Sequence, residues 1–180
     1  MNTRAIFGIG MMMSMVSSAT IAALYVWPWL RSMERSRAMA ALVVPHMLLR
    51  FIGMSFLVVG VVGPALPAGF AEPAAFGDFL AGILAIGAGV ALARRLSWAE
   101  AAVWVFNVWG AVDLLLAIYE GVHHGMDPGS LGAAYFLPTL IVPALLVTHL
   151  LLFGVLRQRQ KSTNGELAGS IGSLPMDVRA

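Results

Sequence analysis

Apolar residues run along this chain in five long blocks separated by short polar or turn-forming segments. A helix rising about 1.5 Å per residue needs roughly 20 apolar residues to cross a hydrocarbon core of about 30 Å. Five stretches reach or approach that length, at about 5–30, 38–62, 76–93, 99–119 and 132–156. The first ends in Trp27 and Trp29, which read as interfacial anchors. The separators hold charge, Gly or Pro: Arg31 to Arg37, Gly63 to Pro73, Arg94-Arg95, and His123 to Ser130. The pattern predicts an all-α integral membrane protein, a bundle of five transmembrane helices forming one domain over 1–161. Residues 162–180 are mainly small and polar with scattered charges, and read as a disordered cytoplasmic tail.

Charge adds a direction. Arg31, Arg35 and Arg37 follow the first span, Arg94 and Arg95 follow the third, and Arg157, Arg159 and Lys161 follow the fifth. The other two separators carry no Lys or Arg, only Glu72 and, after the fourth span, Glu120 and Asp127, with Asp78 opening the third span. With an odd number of spans, the three basic segments share one face. The positive-inside rule then places the N-terminus outside and the C-terminus in the cytoplasm. A second reading of the first span is a cleavable signal peptide, with small residues at Ser17 to Thr20, although its apolar run continues well past that point.

Composition narrows the classes. Hydrophobic residues make up 59% and charged residues 11%, against roughly half and a quarter in soluble domains. The excess apolar surface has to meet lipid, which makes the bilayer the first expected partner. A net charge of +2 gives no nucleic-acid footprint. With no cysteine, disulfides, thiolate nucleophiles and Cys-ligated metals are excluded. The Ala, Gly and Arg usage suggests a bacterial source, and with it a multi-pass protein of the cell inner membrane.

Ionisable side chains inside a span are costly and by default mark function. Five polar residues stand out: His46 and Arg50 on the second span, Asn107 and Asp113 on the fourth, His149 on the fifth. Measured along the helices from the basic ends, His46, Asn107 and His149 lie ~10–12 Å deep, with Arg50 at ~18 Å and Asp113 at ~21 Å. Arg50 and Asp113 are expected to pair. His46, Arg50, Gly53, Leu57 and Gly60 fall on one α-helical stripe, and Asn107, Gly110 and Asp113 step by three. Pro45 and Pro143 free backbone carbonyls, and Thr139 and Thr148 add hydroxyls.

These residues support a polar site between the second, fourth and fifth spans that binds a small or lipophilic molecule, or conducts protons or solute, since imidazole titrates near neutral pH. An alternative is a membrane redox protein or enzyme. His46 and His149 would then hold a b-type haem or perform acid–base, isomerase-type chemistry. Glu120, His123, His124 and Asp127, with Asp78 nearby, form an outer polar rim that could hold a divalent metal or be a solvated loop. A small-residue stripe at Ala81, Ala85, Gly89 and Ala93 offers close packing, within the bundle or in a homo-oligomer. It also motivates a third class, a structural subunit of a membrane complex. Met11, Met12, Met13 and Met15 read as apolar filler rather than a soft-metal site.

Overall fold

The computed structural model describes residues 2–158, and the described chain is all-helical. Five helices are long and apolar enough to cross a membrane: α1 (Thr3–Arg31), α2 (Arg35–Leu57), α3 (Ala68–Ala93), α4 (Ala99–His123) and α5 (Leu137–Arg157). Arg159, Lys161 and the tail at 162–180 lie outside the described residues.

The helix ends meet in two groups. At the arginine-rich end, the Arg35 guanidinium grips Glu100 at the start of α4 through two 2.6 Å bonds, and donates to the Leu156 carbonyl at 2.9 Å. One side chain therefore ties the starts of α2 and α4 to the end of α5, and supplies a donor to a terminal carbonyl that α5 cannot satisfy itself. At the opposite end, two backbone bonds join the α2–α3 connection to the segment before α5: Gly63 N–H to Ser130 O at 2.8 Å, and Ala133 N–H to Val61 O at 2.9 Å. Gly132 sits between them at φ +53°, where a side chain would run into the Val61 carbonyl.

Two elements depart from the pattern read off the sequence. The third span begins at Ala68, not near residue 76, because the Gly- and Pro-rich stretch continues as helix through Pro73. A proline there removes one intrahelical bond but leaves the chain helical on both sides. The second span changes its winding: it is α-helical over Arg35–Leu49 and 3₁₀ over Arg50–Leu57. Three residues per turn carry the buried stripe from His46 to Arg50, Gly53 and Phe56. Leu57 and Gly60, which a continued α-helix would have kept on that stripe, are exposed instead.

The helix α3 packs against both α2 and α4. Its alanines at 81, 85, 88 and 91 are fully buried, and Gly89 faces Met47. Most of the small-residue stripe is thus used inside the chain, and Ala93 alone of its four positions is exposed. Helix α1 is peripheral. Only 6% of its most apolar window is buried, against 33–44% in the other four, and it lies along α5. Two apolar clusters fill the bundle. One, around Val43, Ala85, Phe106 and Leu152, lies towards the basic end; the other, around Phe56, Ala75, Leu131 and Leu137, lies towards the opposite end. The polar residues occupy the layer between them.

Candidate functional site

The centre of that layer is Arg50, whose side chain is fully buried. Its Nη1 donates to Asp78 Oδ1 at 2.6 Å and to Asp113 Oδ2 at 2.7 Å. Its Nη2 donates to the Gly110 carbonyl at 2.6 Å and lies 2.9 Å from His149 Nε2. One guanidinium therefore ties α2 to α3, α4 and α5. Pairing of this kind is what makes a charge tolerable in a low-dielectric interior.

Hydrogen-bond roles fix the proton positions on both histidines. Arginine only donates, so His149 Nε2 must accept. Its proton then sits on Nδ1 and is donated to Asn107 Oδ1 at 2.7 Å. Asn107 Nδ2 in turn faces the His149 carbonyl at 3.4 Å. The Thr148 hydroxyl donates to the Leu145 carbonyl at 2.7 Å, so it accepts from His46 Nε2–H at 2.8 Å. His149 is therefore neutral, and His46, whose Nδ1 faces no acceptor, is read as neutral too; with both aspartates ionised the layer holds two carboxylates against one guanidinium. Among the described residues, His46 Nδ1 and Arg50 Nε are buried without a hydrogen-bond partner.

Three glycines make the space. A Cβ at Gly53 would collide with the Asp78 carboxylate, and one at Gly77 with that of Asp113. One at Gly110 would lie 2.7 Å from His149 Nε2 and 2.8 Å from Arg50 Nη2. Small residues let the helix backbones approach closely enough for short side chains to meet across the bundle.

All five residues singled out by sequence, His46, Arg50, Asn107, Asp113 and His149, meet in this layer. The two depths assigned to them merge into one network, because Arg50 reaches His149 directly. Thr148 joins through His46, whereas Thr139 donates back to the Tyr135 carbonyl at 2.8 Å within its own helix. The residue that sequence reasoning misplaced is Asp78. The apolar pattern starts α3 near residue 76 and so leaves Asp78 at the outer rim. With α3 starting at Ala68, Asp78 lies ~15 Å along the helix. Its spacing held the missing signal: Ala74, Asp78, Ala81 and Ala85 share one buried face at steps of four, three and four.

Two other expectations change. The residues do not fit a haem held by His46 and His149. Their ring centroids are 4.5 Å apart, which leaves no room for a macrocycle between them, and three of the four ring nitrogens are already hydrogen-bonded. At the rim, Glu120 pairs with His124 at 3.1 Å and His123 stacks on Tyr119, while Asp78 is drawn away into the core. Among the described residues, no three His, Cys, Asp or Glu side chains are placed to hold one metal ion.

Two cavities reach the network. A pocket of about 320 Å³ is lined by α1, the end of α2, α3, α4 and the start of α5, with Phe7, Met11, Phe56 and Phe70 in its walls. Exposed Arg4 lies towards its mouth, and Asp78 and Asp113 at its deep end. A second cavity of about 340 Å³ runs between α3 and α4 past Phe76, Leu80 and Trp109, and also reaches Asp113.

No curated protein and no solved structure matches this chain. One family does, and its matched stretch, residues 6–157, contains the whole Arg50 network and nearly all of the five helices. The chain therefore belongs to the family described as Domain of unknown function (DUF8737).

Proposed function

We propose that this is a multi-pass protein of a bacterial inner membrane, with its N-terminus outside and its arginine-rich end and C-terminus in the cytoplasm. We further propose that it binds a small, largely apolar molecule in the pocket above Arg50. The membrane part rests on five helices of spanning length whose outward faces are apolar, with Leu48, Val122 and Leu150 among the exposed residues. The orientation rests on the distribution of arginines.

The observation that carries the binding reading is the junction of an apolar-walled pocket with a charged network at its floor. A concave, mostly apolar cavity with a few convergent polar groups is the usual form of a small-molecule site. In this reading Asp78 and Asp113 contact the ligand. Arg50, His149, Asn107 and His46 hold those carboxylates in place. The motionally simplest route for an apolar ligand is through lipid, along the α3–α4 cavity that meets the same aspartate.

Binding is tested with phenylbutanol, titrated calorimetrically into the protein held in phosphatidylcholine nanodiscs. Saturable binding is expected, and Ala117→Phe, which fills space lining both cavities, should abolish it. Only non-saturable partitioning, equal to that of empty nanodiscs, would remove the reading.

A further inference from the structure

With both aspartates ionised the Arg50 network carries one negative charge more than positive, and both carboxylates line the pocket. Asp78 and Asp113 share a single guanidinium nitrogen, Arg50 Nη1. His149 Nε2 accepts from Arg50 and His46 Nδ1 faces no acceptor for a second N–H, so both rings are read as neutral and neither offsets the second carboxylate. Each carboxylate uses one oxygen on Arg50. The other two, Asp78 Oδ2 and Asp113 Oδ1, lie against Gly53 and Gly77 and receive no hydrogen bond from a described residue. The Asp113 side chain is 9% exposed, and that residue lines both cavities.

We infer that the ligand is a lipophilic monocation, such as a protonated amine on an apolar body, seated with its charge against Asp113 and Asp78. This deepens the pocket reading above and rests on it. A cationic donor stabilises an ionised excess carboxylate in an apolar surround, and hydrogen bonds between charged groups are the strong ones. The walls fit the rest of such a molecule: Phe56 and Phe70, packed edge to face at 5.3 Å, border the space above the carboxylates. Aromatic faces also attract cations. Arg4 at the mouth disfavours a second positive group at the outer end, so a single charge at the deep end is the arrangement that matches both termini of the pocket. A volume of about 320 Å³ admits one aromatic or short aliphatic body.

Three probes of nearly equal shape separate the charge states: phenylbutylammonium, phenylbutanol and phenylbutyrate, each titrated into the protein in phosphatidylcholine nanodiscs. The ammonium should bind at least tenfold more tightly than the alcohol, and the butyrate most weakly. Asp113→Asn leaves Arg50 and Asp78 balanced one to one, so it should erase the ammonium's advantage over the alcohol. Asp78→Asn removes the same excess and serves if the first variant does not fold. An alcohol that binds as tightly as the ammonium, or a butyrate that binds best, overturns the cation assignment while leaving the pocket reading standing. If none of the three saturates, both fall.

Discussion

An arginine guanidinium carries five N–H groups and accepts nothing, so burying one means finding acceptors for it on neighbouring elements. Arg50 places four of its five on Asp78, Asp113, Gly110 and His149. Removing it would strand two carboxylates in the core. Arg50→Met should therefore lower stability by roughly 3–5 kcal/mol or prevent accumulation of folded protein, read by thermal unfolding in nanodiscs. Near-wild-type stability would mean that the carboxylates are relieved some other way. The glycines give a matched pair. Gly110→Ala should cost about 1–3 kcal/mol through overpacking. Gly87→Ala, whose added methyl would meet nothing within 4 Å, should be neutral or gain up to about 1 kcal/mol. Equal effects would mean that the space around Gly110 is not held by His149 and Arg50. At this scale the chain is mostly readable, because charge inside a long apolar block is rare enough to stand out. Five of the network's members were named from type and spacing, and Asp78 was lost only because its helix was started too late.

Elements were readable in number more than in form. Length and apolarity found five blocks. They did not reveal that α2 tightens into a 3₁₀ helix at Arg50, because winding responds to what the helix packs against, and Leu57 and Gly60 were put on the wrong face as a result. Nor did they reveal that α3 runs through Pro73, since a proline in an early turn and a proline in a loop look alike in sequence. Turn chemistry offers a sharper test. The helix α3 closes with Leu96 N–H bonded to Ala91 O at 3.0 Å and Arg95 N–H to Leu92 O at 3.1 Å, with Arg95 at φ +53°. This is a Schellman end, which favours glycine at that position. The α4 end is built the same way with Gly125. Arg95→Gly should raise stability by about 1 kcal/mol, measured by thermal unfolding. A loss would show that the Arg95 side chain makes up for its strained backbone.

For the whole molecule, the two groups of helix ends make a sidedness test simple, because the chain has no cysteine of its own. Ser32 at the arginine-rich end and Ala65 at the other are both exposed. In intact cells a membrane-impermeant maleimide should label Ala65→Cys and spare Ser32→Cys, and inverted vesicles should reverse the result. The opposite outcome would invert the proposed orientation. That the helices carry more apolar surface than the bundle can bury is legible in composition. The Arg50–Asp113 pair is legible from matching depth, whereas the meeting of Arg50 with Asp78 and His149 depends on long-range juxtapositions that no local pattern encodes.

The reach of Arg50 across the chain also bears on how the protein is made. Its partners lie 28, 63 and 99 residues further on, at Asp78, Asp113 and His149. In the multi-pass arrangement proposed above, synthesis from the N-terminus brings α2 to the membrane carrying a charge whose first counter-ion has not yet emerged. An arginine at a helix centre adds roughly 2.5–3.5 kcal/mol to the cost of insertion. Nascent chains ending just after α2 should integrate poorly, and chains that include α3 should integrate better. Arg50→Leu should let the shorter chains integrate as well as the longer ones. Glycosylation mapping of such truncations reads this directly. Full integration of the short wild-type chain would mean that α2 waits for its partners without help from α3.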